Sequence, residues 1–359
     1  LCGAKLGLAA LVDEANMLLG KTVPFDGACW HTTDPATLIE TSVRTVNVPP
    51  VHARAAELEY LIGGDYNTFV ALARARQHSG VLSTATGGRL ERSRRYRELL
   101  QPVGVRGELR ASFVVGGTCW GSLAIFRATP ADFSAEDAQF VHEIGSTLAL
   151  GFRAAVVRTV AVEPAPPAGP GLILLDGDRQ VEAITEPALR WLAELDFDGD
   201  PHHDPLPLPL LAVAERARAV AGDATSRILG TSGQWLVVDA SAASGGQAGR
   251  VAVILQAATL ASLAPLIAAA HGFTPREREL TELVLQGFGT AEIAAALFVS
   301  PLTVQGHLQA IFAKVGVRSR RELVGTVFMR HYHPRVAATI APRPELGMPS
   351  PSTHTPRSR

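Results

Sequence analysis

The chain has 359 residues, 47% of them hydrophobic and 19% charged, which is enough to bury two or three cores and too apolar for overall disorder. Its formal net charge of −1 excludes a global attraction to nucleic acid, so any such contact has to be local. Three cysteines, Cys2, Cys29 and Cys119, are too few and too scattered for a disulfide scaffold and point to a reducing, cytoplasmic setting.

The chain begins at Leu1 rather than Met. Residues 6–19 are apolar, but Asp13 and Glu14 interrupt them and no cleavage-site pattern follows, which argues against a signal peptide. Residues 5–20 read as an amphipathic helix, and VPFDGACWHTTDPATLIETSV as strand, turn and strand. A mixed region to about residue 100 contains Gly63-Gly64, a helical stretch over 66–77 and an arginine-dense helix over 89–97, whose cations suit a solvated face or, as the alternative, an anionic ligand or partner. ELRASFVVGG and TCWGSLAIFRAT are two strands joined at Gly116-Gly117. The long amphipathic helix that follows, FSAEDAQFVHEIGSTLALGFRAAVV, is opened by Ser134 with Asp137 three residues on. A helix, antiparallel strands and a closing helix suggest an α+β sensor domain.

Several residues here invite a chemical reading. The spacing Gly117-Thr-Cys119-Trp-Gly121 fits a nucleophile elbow with Cys for Ser, but an elbow needs a helix after its turn, and SLAIF continues as strand. Cys29-Trp30 and Cys119-Trp120 fall in expected strands, where packing is the default. If those strands are neighbours, the two pairs with Phe113 could line a ligand pocket, or the thiols could form a redox pair. His31, His52, His78 and His142 lack metal-ligand spacing, so no metal or cofactor is implied. TCWGSLAIFR followed by FSAEDAQFV resembles the GAF domain, a ligand-sensing or dimerising module of bacterial regulators, and the resemblance implies a GAF-like domain over 1–160.

VEPAPPAGPG is a Pro/Ala/Gly linker at 161–170. From 171 to 260 the order is strand, Asp-Gly turn, strand and helix, then a proline-rich loop, a further helix and three strands. This loosely resembles a PAS domain, a smaller α+β module whose family role is sensing or dimerisation. Its Asp200, His202, His203 and Asp204 read as solvated loop residues rather than metal ligands. The twenty positions 251–270 carry no charge. Length alone would allow a membrane helix, but Gln256, Pro265 and the β-branched start VAVIL favour a buried strand and a connecting helix at 261–271, with no membrane partner.

Residues 272–332 hold four helical patterns with stop signals between them. Thr274, Pro275 and Glu277 make a capping box for the first, and Gly287 ends it. Thr290 reads as the next N-cap and Ser300 as the third, again followed by proline. In the third helix Val304, Leu308, Ile311, Phe312 and Val315 share one face. Gly306, Gln309 and Ala313 lie opposite, flanked by Gln305, Thr303 and Ala310. A short helix, a tight turn and a second helix exposing small and amide groups suit a major-groove reader. Ser319 and Glu322 box a fourth helix. TPRERE, AEIAAAL, SPLTVQGHL and KVGVRSRREL resemble the LuxR-type (GerE) helix-turn-helix domain of bacterial transcription regulators. That resemblance implies double-stranded DNA as partner, the third helix in the major groove and a homodimer. Where the family commonly carries Lys or Arg, this chain has Gln305 and Gln309, and Gly306 has no side chain. Gln suits adenine, and mid-helix Gly306 either permits close approach to DNA or is drift. His307 could reach a phosphate or pack half-buried, and Lys314, Arg318 and Arg320 are phosphate candidates that also favour a helix C-terminus. Seven Lys/Arg against five Glu give residues 273–330 a net charge of only +2, a weak footprint that calls for a dimer. Residues 333–359 read as a flexible tail.

The expected protein is therefore multidomain and non-enzymatic. GAF-like and PAS-like α+β modules, able to take a small-molecule signal, would control an all-α DNA-binding output. An interaction scaffold is the alternative, and no nucleophile, base and orienter set supports an enzyme.

Overall fold

The structure, a computed structural model, describes residues 7–48, 52–159, 169–243 and 249–331. The expected linker up to residue 168 and the tail from 332 lie outside the described residues.

Helix α1 (Leu8–Thr22) buries Leu11, Val12, Ala15 and Leu19, a single stripe at helical spacing. Strands β1 (Gly27–Thr33) and β2 (Glu40–Val46) follow, then α2 (His52–Ala56), which runs into a π-helical turn at Glu57–Ile62. Next come α3 (Phe69–Arg74), β3 (Ser79–Val81) and α4 (Leu82–Thr86). Strands β4 (Gly107–Val115) and β5 (Thr118–Arg127) turn through Gly116 and Gly117 at φ 58 and 75, left-handed positions that glycine takes without a Cβ clash. Helix α5 (Ala135–Thr159) is opened by reciprocal bonds between Ser134 and Asp137, as its sequence requires. The antiparallel sheet has the order β2-β1-β5-β4-β3. One face, with Trp30, Leu109, Phe113, Trp120 and Leu123, is sealed by α1 and α5.

The arginine-dense segment departs from expectation. It breaks into a 3-10 turn at Leu90–Arg92 and a π-helical turn at Tyr96–Leu100, and Arg95, only 7% exposed, turns inward. Its guanidinium donates to both oxygens of buried Glu108 at 3.0 and 2.7 Å. A buried carboxylate needs a cation, and that need outweighs the solvation of one arginine in the run.

The second unit runs β6 (Gly171–Leu175), β7 (Val181–Ile184), α6 (Glu186–Glu194), α7 (Leu208–Val220), β8 (Asp223–Leu229), β9 (Trp235–Ala242) and β10 (Val251–Ala257). Its sheet has the order β7-β6-β10-β9-β8. Counted within each unit, both sheets therefore read 2-1-5-4-3. The two share their cores. Helix α7 is apolar on nearly every side, because one side packs on its own sheet and the other on α2, the π-helical turn and β2, beside Ile39, Ala56 and Tyr60. Alternation along β9 sends Leu236 and Val238 into that core, and Trp235 and Val237 into the core under α1 and α5. Arg179 joins the units by pairing with Glu57 at 2.7 Å and with fully buried Glu215 at 3.0 Å. Arg227 does the same, its Nη1 and backbone N–H donating to Asp34 Oδ2 at 2.9 and 3.0 Å.

The charge-free stretch resolves into β10 and α8 (Leu260–Ala270), the latter opened by a Thr259–Ser262 capping box. Among the described residues no single helix is long and apolar enough to cross a membrane. Helix α8 puts Leu263, Leu266 and Ile267 into the first core, while Ala268 belongs to the core of the last four helices. Those are α9 (Pro275–Leu285), α10 (Thr290–Ala296), α11 (Pro301–Val315) and α12 (Arg320–His331), packed around Leu280, Val284, Ile293, Val304, Leu308, Ile311 and Leu323.

Candidate nucleic-acid interface and internal cavity

The caps fix where α10 and α11 begin. Ser300 accepts the Thr303 N–H at 3.0 Å, so the turn ends abruptly and α11 starts at Pro301. Thr290 is not the cap expected of it. Gly289 holds that place and its N–H donates to Glu292 Oε2 at 2.6 Å, leaving Thr290 as the first helical residue. Between the helices Phe298 sits at φ 55, a left-handed conformation costing roughly 1 kcal/mol for a residue with a Cβ. The two axes meet at 106°, inside the roughly 90–120° of a helix-turn-helix.

Val304, Leu308 and Ile311 are buried and Phe312 and Val315 half-buried, so the expected apolar face points inward. Gln305, Gly306 and Gln309 are exposed, and a Cβ at Gly306 would meet nothing within 4 Å. Ser300 and Thr303 are exposed beside them, their hydroxyls 2.8 Å apart, and His307 is half-buried at the edge. Sequence reasoning missed Leu302. At about 100° per residue it stands about 20° from both Gln309 and Ala313, at the centre of the outward face. It is 77% exposed and Phe298 is 95% exposed, the two largest exposures among the large apolar side chains described. The spacing alone could have placed Leu302 there.

The cations divide differently from expectation. Lys314 Nζ lies 2.6 Å from Glu277 Oε2 and 3.1 Å from the Gly272 carbonyl, so it locks α11 to the start of α9 instead of facing a phosphate. Arg320 donates to the Phe288 carbonyl, and Arg276 to the Leu297 carbonyl and to Glu279. Backbone carbonyls left over at helix ends attract these groups. Arg318 stays exposed, as does Arg321.

These observations agree with what the sequence is similar to. The family model for bacterial regulatory proteins of the luxR family matches residues 271–327. Residues 271–327 form a LuxR-family helix-turn-helix domain. A Mycobacterium bovis protein named as an HTH-type transcriptional regulator is 51% identical over 51 residues, 14% of this chain and 6% of that protein. The oxygen regulatory protein NreC of Staphylococcus aureus is 47% identical over 49 residues, 14% of this chain and 23% of NreC. The chain thus spans less than a quarter of the length of these curated relatives. Among solved structures, the GAF domain of a sensor histidine kinase from Bacillus halodurans is 14% identical with a TM-score of 0.28, covering 42% of this chain and 97% of that one. VqmA of Vibrio cholerae is 16% identical with a TM-score of 0.22, covering 47% and 85%.

A cavity of about 350 Å³ lies on the side of the first sheet away from α1 and α5. Of the five expected pocket residues only Cys29 lines it. Trp30, Phe113 and Trp120 point to the opposite, helix-covered face, because side chains alternate along a strand. Trp30 borders instead a smaller hollow of about 170 Å³ beneath α1, its indole N–H bonded to Asn16 at 2.9 Å. Cys119 is buried apart, its thiol 3.4 Å from the Gly121 carbonyl. The strands are neighbours, but Cys29 pairs with Ala124 and Cys119 with Val114, so the thiols do not meet. Burial pushes the Cys29 thiol up to about 12 and that of Cys119 to about 11. The residues that do line the cavity were out of reach of sequence reasoning: Phe69, Leu100, Phe126, Glu40 and Arg110 come from five separate elements, with Arg95 at the start of the turn that carries Leu100.

Proposed function

We propose that the chain is a cytoplasmic, one-component transcription regulator, in which two α+β input units, GAF-like over 1–160 and PAS-like over 171–260, control a DNA-binding output at 272–332. The observation that carries this reading is the outward face of α11. It is small, amide-bearing and open, and it is pinned from behind by a buried aliphatic stripe. Gln305 and Gln309 would each address an adenine edge, and Leu302 beside Gln309 a thymine methyl, for which apolar contact is the natural recognition. Gly306 lets the helix approach the bases closely.

With Lys314 and Arg320 engaged inside the domain, few free cations remain for phosphates, so one domain binds weakly and a homodimer is the working unit. Met17, Leu18 and Leu150, exposed on the adjacent helices α1 and α5, suit a dimer contact. The first-unit cavity would hold the signal. Ala55 of α2 and Leu208 of α7 lie in its wall, so an occupant touches the helix that both units share. Helix α8 then ties that shared body to the output domain. Because the face of α11 is already open, a signal acts by changing how two output domains are spaced, not by unmasking one.

The test is selection of genomic fragments by the full-length protein at low salt, followed by titration against salt. The expected result is a recurrent paired site whose log Kd changes with log salt by about 2 to 3 per domain, and a Gln305→Ala/Gln309→Ala variant that binds DNA but has lost the preference for adenine. No enrichment by the wild type, or preference retained by the variant, refutes the reading.

A further inference from the structure

The cavity wall is not charge-balanced. Glu108 is matched by Arg95, and Glu59 by Arg110, whose Nη1 lies 2.9 Å from Glu59 Oε2. Asp65, behind Arg95, accepts from Ser93 Oγ at 3.1 Å and from the Arg95 N–H at 2.7 Å. Asp26, exposed at the rim, accepts the Ala128 N–H at 2.7 Å. Glu40 is the acid left over. It is 4% exposed, and among the described residues neither lysine nor arginine pairs with it. Its Oε1 lies 3.1 Å from His31 Nδ1 and receives no hydrogen bond. Its own backbone N–H donates to the Tyr60 hydroxyl at 2.9 Å, and the Tyr60 hydroxyl and the charge of Arg110 only partly offset the burial of its carboxyl. Around this acid the rest of the wall is largely hydrocarbon and aromatic.

A carboxylate in such surroundings either holds a proton or meets a cation. We propose that the cavity takes a small organic monocation, an amine whose ammonium group seats on the Glu40 carboxylate and whose carbon body lies against Phe69, Leu99, Leu100 and Phe126. This rests on the reading of the cavity as the signal site and names the chemistry of the signal. Arg110, its guanidinium 3.6 Å from the Phe69 ring centre, keeps Nε without a hydrogen-bond partner, 3.8 Å from Glu108 Oε1. That N–H suits a carbonyl or hydroxyl on the same ligand. Burial first, and then the charge of Glu59, raises the Glu40 carboxyl to about 8, so at pH 7 it holds its proton while the cavity is empty. The neighbouring Tyr60 and Cys29 are shifted upward as well and stay neutral. Seating an ammonium ion therefore displaces the Glu40 proton to solvent, and the net charge of wall and ligand together equals that of the empty wall.

The experiment is calorimetric titration of the full chain at pH 7 with hexylammonium, hexanol and hexanoate, in two buffers of different ionisation enthalpy. Hexylammonium should bind about ten-fold or more tightly than hexanol, with hexanoate weakest, and release close to one proton per molecule bound. In Glu40→Gln, whose fold is checked by circular dichroism, that preference and the proton release should both vanish while hexanol still binds. Equal or tighter binding of hexanol or hexanoate, or selectivity surviving in the variant, overturns the amine assignment and leaves the cavity a ligand site. Failure of all three compounds to bind overturns the cavity reading together with it.

Discussion

Asp34 is the residue on which the joining of the two α+β units can be tested most sharply. It belongs to the first unit, is 1% exposed, and accepts the Ala36 N–H at 2.9 Å as well as two bonds from Arg227 of the second. Arg227 in turn donates through Nε to the Ser262 carbonyl in α8, so one guanidinium ties first unit, second unit and connector helix together. Asp34→Ala leaves that cation largely buried and without its counter-ion, a change that costs about 3–5 kcal/mol. Because Arg227 keeps the Ser262 carbonyl, the lower end of the range applies. At roughly 2 °C per kcal/mol for a body of this size, the melting midpoint should fall by about 6 °C. Scanning calorimetry and urea titration of the full chain read both quantities. Asp34→Asn, which keeps the acceptor oxygen and loses the charge, should fall between the variant and the wild type. A loss below about 1 kcal/mol, the scale of a solvent-exposed pair, would refute the argument that this contact unites the units.

Three further outcomes follow from the same geometry. Replacing thymine by uracil at one position of the selected site should weaken the wild type about four-fold, the value of one buried methyl, and leave Leu302→Ser unaffected; a quantitative mobility-shift assay decides. The thiols of Cys29 and Cys119 should react with iodoacetamide at pH 8 far more slowly in the native protein than in urea, because both are held almost wholly protonated; equal rates would contradict their placement. Burial alone would raise the Glu277 carboxyl, but hydrogen bonds from Lys314 and Thr274 outweigh it and lower it below its usual 4.5. A depressed carboxylate gives stability that is present above its unfolded pKa and lost as pH falls through the folded one. Wild-type stability should therefore decline below about pH 4.5, and Lys314→Met should be less stable at neutral pH and lose less on acidification, by urea titration across that range.

The output domain was legible because its signals are local. Thr274, Ser300 and Ser319 each declare a helix start within four residues of sequence, and the 3.6-residue period of Val304, Leu308 and Ile311 fixes which side of α11 faces out. Most strands of the two α+β units were legible for the same reason, through Gly116-Gly117 and the apolar run WLVVDA, but the short β3 was not. What failed was everything set by contacts distant in sequence. Arg95 looked like its neighbours in an exposed run until Glu108, thirteen residues on and in a different element, drew it inward. Trp30, Phe113 and Trp120 are large and aromatic, which suits a pocket wall and a core equally, and only the sheet's sidedness separates them. Lys314 could not be read as a brace, because its partner Glu277 lies 37 residues away on another helix. The sharing of α7 between two units has no sequence signal beyond a helix that is apolar over most of its surface.

The claim that α11 reads DNA through its amide groups is tested most directly by exchanging one ring nitrogen of the base for C–H. In the selected site, 7-deazaadenine in place of adenine deletes the N7 acceptor and leaves base pairing intact. The account predicts a loss of about five-fold or more for the wild type, within the roughly 1–3 kcal/mol of a bidentate glutamine contact, and no loss for Gln305→Ala/Gln309→Ala. An equal loss in both proteins, or none in the wild type at every adenine of the site, would contradict it.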